Sequence, residues 1–120
     1  MISDFDLEGK TVLVTGVGKG IGFNLLNELI ARGAFVYGIT RSKQDLKKIG
    51  KNEKFKIFLG DVRNLKLIEK IFKQSVKDNR IINGLVNNAG IRQRIKFESI
   101  SYKKLIEVFE INFFSVFRIM

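Results

Sequence analysis

The stretch Thr15-Gly16-Val17-Gly18-Lys19-Gly20-Ile21-Gly22 closes one apolar run and opens another, and its reading decides the fold. Before it stands Thr11-Val12-Leu13-Val14, β-branched and apolar, the composition of a strand buried on both faces of a parallel sheet. After it, Ile21, Leu25, Leu26, Leu29 and Ile30 recur at helical spacing. The segment therefore reads as strand, glycine turn, helix. Glycines suit such a turn because they reach positive φ without steric cost and let the backbone approach a ligand closely. The helix that follows directs its unpaired N–H groups and the positive end of its dipole at the same spot, so a phosphate is the expected guest. A plain tight turn is the alternative, and the spacing Gly16-x-x-x-Gly20-x-Gly22 departs from the G-x-G-x-x-G fingerprint.

Outward from this turn, strands and helices alternate without a linker, repeat or low-complexity break. Gly33 fits a helix C-terminal cap, and Phe35 to Thr40 reads as a second strand. Ser42 caps a short helix ending near Gly50, and Phe55 to Leu59 is a third strand. Asn64 caps a longer helix bearing Leu65, Ile68, Ile71, Phe72 and Val76, a fourth strand covers 84–88, and an apolar helix starts near Tyr102. Repeated strand-helix units imply a parallel sheet with helices on both faces, joined by right-handed crossovers. The expected class is α/β, the first part of a Rossmann-like doubly wound domain with about four strands and four helices.

Composition narrows the chemistry. The 120 residues suffice for one domain at most, and 45% are hydrophobic. Cysteine and histidine are both absent, which removes disulfides, thiolate and imidazole metal sites, and a Ser-His-Asp triad. No metal is expected. Residues 1–10 carry Asp4, Asp6 and Glu8 and lack the basic-then-apolar form of a signal peptide, and no apolar run approaches the ~20 residues of a membrane span. A cytoplasmic protein without a membrane partner fits these facts. The net charge of +10 is spread along the chain and reads as a lysine-rich solvated surface. Lys43, Lys47, Lys48, Lys51, Lys54 and Lys56 cluster locally. A nucleic-acid patch is the other reading of that cluster, but no nucleic-acid-binding motif accompanies it, so no nucleic acid is expected.

In doubly wound sheets ligands lie beyond the carboxyl ends of the strands, so the residues that follow each strand carry the information. The second strand ends in Thr40-Arg41-Ser42. An acid at this distance from the glycine turn would accept from the ribose 2′-OH of NAD, whereas a basic residue accommodates the 2′-phosphate of NADP. The position holds Arg41, and Lys19 in the turn approaches from the other side; an exposed surface cation is the alternative for each. Gly60-Asp61-Val62 ends the third strand: Asp61 can accept from the exocyclic amine of an adenine that Val62 covers, or simply serve as a turn aspartate before Asn64. Asn87-Asn88-Ala89-Gly90 ends the fourth, with amides able to tie neighbouring strands and small Ala89 and Gly90 leaving room for a cofactor.

With these residues in place, the sequence resembles the N-terminal half of the short-chain dehydrogenase/reductase family. The family's marks are a Thr-Gly-x-x-x-Gly-Ile-Gly turn and an Asn-Asn-Ala-Gly after the fourth strand, found here as Thr15 to Gly22 and Asn87 to Gly90. Asp61 matches its adenine-contacting aspartate, and Asn112 in Glu110-Ile111-Asn112-Phe113 matches the helix asparagine of its catalytic tetrad. A polar residue that bonds the backbone within an apolar helix is the other reading of Asn112. The resemblance implies hydride transfer between NADP(H), preferred over NAD, and a small carbonyl or alcohol substrate, in a homo-oligomer once the domain is complete. It also implies a cofactor site made of Thr15, Gly16, Gly18, Lys19, Gly20, Ile21, Gly22, Arg41, Ser42, Asp61, Val62, Asn88, Ala89 and Gly90. The chain departs from the pattern at the catalytic residues. The family's serine and Tyr-x-x-x-Lys fall beyond Met120, and neither Tyr37, with Arg41 four residues on, nor Tyr102, with Ile106, can substitute. Residues 1–120 are thus expected to be the N-terminal portion of a single NAD(P)-binding domain, a fragment inactive alone, with the fifth strand onward missing. The alternative is a non-catalytic dinucleotide-binding module or partner subunit. Arg92 and Arg94 follow the fourth strand in a run similar to that of sugar-acid dehydrogenases of the family, and suit either an acidic substrate or simple solvation.

Overall fold

In the computed structural model, which describes residues 5–120, the β-branched runs become strands and the periodic runs helices. Asp4, part of the acidic N-terminal segment, lies outside the described residues. The strands are β1 (Thr11–Thr15), β2 (Phe35–Thr40), β3 (Phe55–Leu59) and β4 (Gly84–Val86), all parallel, in the spatial order β3-β2-β1-β4. The helices are α1 (Gly20–Ala31), α2 (Lys43–Ile49), α3 (Leu65–Lys77), α4 (Tyr102–Phe109) and α5 (Ser115–Ile119). This is the doubly wound arrangement expected from the alternation of elements.

Strand alternation splits the core into two layers. Val12, Val14 and Val36 turn to one face, where Val17, Leu26 and Leu29 cover them. Leu13, Tyr37 and Ile39 turn to the other, against Ile68 and Ile71 of α3 and Ile111 and Ile119 farther on. Several of these side chains are wholly enclosed, and each aliphatic one contributes roughly 1.5 to 3 kcal/mol by leaving water. All of β1 and β2 is buried, so these two strands form the rigid floor on which the turn at Thr15 is mounted.

Several elements differ from expectation for local reasons. Ile21, counted in the apolar stripe of α1, is 78% exposed, because the buried line runs through Gly22, Leu26 and Leu29 instead. In α3 the core line is Ile68, Ile71 and Ser75, which leaves Leu65, Phe72 and Val76 exposed on its flanks. The fourth strand stops at Val86, two residues short, because the Asn88 and Ala89 N–H groups turn to Thr15 Oγ1. The last helix is interrupted: a π-helical turn, Glu110–Phe114, separates α4 from α5, and a 3-10 turn, Phe97–Ser99, precedes it. Its aromatic face is also not covered on all sides, with Phe113 and Phe117 at 62% and 74% exposed.

Candidate functional site

The chain builds β1, β2 and β3 outward in one direction and then returns to place β4 on the other side of β1. The connections at the carboxyl ends of β1 and β4 therefore diverge and leave a crevice, the place where open α/β sheets bind ligands. A cleft of about 470 Å³ opens there. It is lined by residues from all four strand ends: Gly16, Gly18 and Lys19; Thr40, Arg41 and Ser42; Gly60 and Val62; Asn88, Ala89 and Gly90.

Hydrogen bonds lock the four ends together. Gly16 and Val17 donate their N–H groups to Ile39 O at 2.9 and 3.1 Å, which holds the glycine turn against β2. Buried Thr15 accepts through Oγ1 from Asn88 N at 3.1 Å and Ala89 N at 2.9 Å, while Asn88 Nδ2 donates to Gly16 O at 3.1 Å. Thr15 and Asn88 thus clamp the turn to the end of β4, the tie between strands that the paired amides suggested. The glycines divide by role. An added Cβ would strike the Gly16 carbonyl from Gly22, Ala89 Cα at 2.9 Å from Gly16, and Asp45 Oδ2 and Thr40 Oγ1 at 2.7 Å from Gly18. At Gly20 it would meet nothing within 4 Å, but φ is +60° there, a conformation that disfavours any side chain.

The N-terminus of α1 is unlike those of its neighbours. Ser42, Asn64 and Ser101 cap α2, α3 and α4 by accepting backbone N–H groups, whereas Lys19 makes no side-chain cap on α1 and no acid occupies its first turn. The first-turn donors of α1 are left for a ligand beside the turn. Among the described residues neither Lys19 nor Arg41, both on the rim of the cleft, has an ion-pair partner.

Not every candidate residue lines the cleft. Thr15 and Gly22 lie behind it as packing elements, and Gly20 and Ile21 face solvent. Asp61 sits beside it with both carboxylate oxygens taken by Arg63, Nη2 to Oδ2 at 2.7 Å and Nε to Oδ1 at 3.0 Å. The Arg63 guanidinium holds the Asp61 carboxyl below the usual carboxylate range against the opposing effect of partial burial, and Arg41 adds to it. Asn112 lies in the π-helical turn and forms a two-way amide pair with Ile91: Ile91 N donates to Oδ1 at 2.8 Å, and Nδ2 donates to Ile91 O at 2.7 Å. Its side chain is therefore engaged with backbone, and it fixes the strand of chain that follows Gly90. Sequence reading missed Ile39, Asp45 and Ile111 in the lining, and Arg63 beside it, whereas Ile91 opens the loop expected to border the substrate pocket. The Asp61-x-Arg63 spacing was a usable signal for that pair; Asp45 and Ile111 carry none until the fold is known.

The sequence matches the family model for short chain dehydrogenases over residues 10–120. Similar proteins include an uncharacterized oxidoreductase of Saccharomyces cerevisiae, 32% identical over 113 residues that cover 90% of this chain and 44% of that one. The 2-dehydro-3-deoxy-D-gluconate 5-dehydrogenase of Bacillus subtilis is 35% identical over 117 residues, 94% of this chain and 46% of that one. A glucose/ribitol-type short-chain dehydrogenase/reductase from Brucella melitensis superposes with a TM-score of 0.86 at 25% identity, over 98% of this chain and 51% of that one. The chain spans about half the length of the relatives it matches.

Proposed function

Because the chain belongs to the short-chain dehydrogenase family, we propose that it is the cofactor-binding part of an NADP(H)-dependent oxidoreductase acting on a small carbonyl or alcohol. The observation that carries this reading is the cleft itself, where four strand ends, an uncapped helix N-terminus and two unpaired cations meet. The groups present fit a dinucleotide phosphate. Gly16 and Gly18 let the turn close against Ala89, Thr40 and Asp45 and so bring its backbone to the cleft where a pyrophosphate would lie, and the first turn of α1 offers it N–H donors. Lys19, Arg41 and Ser42 would hold the 2′-phosphate; Val62 would cover the adenine, whose exocyclic amine would donate to a remaining lone pair of the Asp61 carboxylate, which Arg63 keeps ionised and oriented. Ala89 and Gly90 leave room for the rest of the molecule along the end of β4. The nicotinamide, when bound, supplies or takes the hydride.

Asn112 acts in this scheme as a positioning residue, holding Ile91 and the chain beside Gly90 through its paired amide bonds. The proton-transfer groups, a serine and a Tyr-x-x-x-Lys, belong to a part of the domain outside these residues, so residues 1–120 form the N-terminal portion of one NAD(P)-binding domain. The exposed aromatic face of α4 and α5 suits burial by the remainder of the domain and by a second subunit. Among the described residues no helix is long and apolar enough to cross a membrane, and we place the protein in the cytoplasm.

Arg41 provides the test. A charge-assisted hydrogen bond is worth roughly 1.5 to 3 kcal/mol, so two cations on one phosphate favour NADP over NAD by on the order of 10² or more. In the whole protein, Arg41→Asp should reverse the preference in kcat/KM for NADPH over NADH. Equal use of the two cofactors by the unaltered protein would sink the proposal.

A further inference from the structure

The lysine cluster between residues 43 and 56 takes no part in the cleft, and the fold gives it a second location. A groove of about 830 Å³ runs over the outer edge of β3, with Leu46, Ile57 and Phe58 among the apolar residues on its floor. Lys43, Lys47, Lys51, Lys56 and Lys70 stand around it. Because Lys43 and Lys47 come from α2 on one face of the sheet and Lys70 from α3 on the other, the groove must cross the sheet edge. Among the described residues no acid lines it, and of these lysines only Lys56 has an ion-pair partner, Asp78 at 2.8 Å.

The edge beneath carries free hydrogen-bonding groups. Val36 N donates to Lys54 O and Gly60 N donates to Thr40 O, so Lys54, Lys56, Phe58 and Gly60 present their peptide groups to β2. Alternation in a parallel ladder then turns the N–H and C=O of Ile57 and Leu59 outward. Among the described residues nothing on that side pairs with them. Lysines on an open edge repel a second copy carrying the same lysines, which argues against self-pairing. They attract a strand of opposite charge.

We propose that this groove receives an acidic, extended segment of a partner polypeptide, which adds as a strand beside β3. Main-chain bonds to Ile57 and Leu59 set its register; its carboxylates meet Lys43, Lys47 and Lys51 on the α2 side, and its alternate apolar side chains, all on the opposite face of the strand, rest on Phe58. The five residues of β3 accommodate a segment of comparable length. A single-stranded nucleic acid fits less well, because Phe55 is buried and the half-buried Phe58 is then the one aromatic surface among the lining residues, short of the run of exposed rings on which successive bases stack.

The test is fluorescence anisotropy of the whole protein with a labelled peptide of alternating glutamate and valine. Saturable binding is expected, weakening severalfold as salt rises from about 50 to about 300 mM. Lys47→Glu combined with Lys51→Glu should weaken it by about tenfold or more while leaving NADP⁺ affinity unchanged, since neither residue lines the cofactor cleft. N-methylation of the peptide, which removes strand donors, should weaken it as well. The proposal is overturned if the peptide does not bind, if binding ignores both the charge reversals and the N-methylation, or if a labelled oligothymidylate binds more tightly than the peptide.

Discussion

Two glycines only two residues apart should respond to the same added methyl in different ways. At Gly22 an alanine Cβ would drive into the Gly16 carbonyl and approach Asn88 Nδ2 to 2.5 Å, the two partners of one hydrogen bond. Both are held: Gly16 by its N–H bond to Ile39, and the Asn88 N–H by Thr15. Neither can retreat without opening the clamp between the turn and β4. Overpacking of this kind costs about 1 to 3 kcal/mol. Loss of the Asn88 amide bond adds about 1 kcal/mol, so Gly22→Ala should destabilise the protein by roughly 2 to 4 kcal/mol. At Gly20 the methyl meets nothing, and only the positive φ is unfavourable, at about 1 to 2 kcal/mol. Urea midpoints of the two variants of the whole protein, measured without cofactor, should therefore fall in the order unaltered, Gly20→Ala, Gly22→Ala. A Gly20→Ala protein less stable than the Gly22→Ala protein would refute the assignment of Gly22 as the packing glycine of the turn.

Acid should weaken the fold through Asp78. Its carboxyl is held down to about 2 by Lys56 first, then by the buried Tyr37 hydroxyl at 2.6 Å and by Gln74. With an unfolded value of about 3.9, this stabilisation is complete above that pH and disappears as pH falls toward 2. Asp78→Asn should flatten that part of the acid limb in urea melts, and an unchanged limb would contradict the network. The exposed aromatic face predicts a second behaviour. Expressed alone, the 120 residues should associate non-specifically and show no NADPH-dependent carbonyl reduction. A monomer on sedimentation that melts cooperatively would refute the first expectation, and measurable turnover the second.

Much of this was legible in the sequence because it rests on local rules. The strand before Thr15, the glycine turn and the caps at Ser42 and Asn64 each follow from residue type and spacing, and they fixed the fold class and three of the four strand ends. What escaped depends on through-space contacts. The early end of β4 follows from Thr15 Oγ1, more than seventy residues away in sequence. Asn112 could be placed on a helix, but its pairing with Ile91 and the π-helical turn around it needed the fold. Helical periodicity also overcounted: Ile21 and Val76 satisfy an apolar pattern yet face solvent, because spacing identifies a stripe without showing which line within it meets the sheet.

If the four strand ends form one dinucleotide site, NADP⁺ should protect all of them at once, which hydrogen exchange of the whole protein with and without NADP⁺ reads segment by segment. Exchange should slow together in segments 15–22, 40–42, 60–63 and 87–91, with weaker protection of 40–42 when NAD⁺ replaces NADP⁺. Protection confined to one of these segments, or centred on the groove at β3, would mean that the strand ends do not share one site.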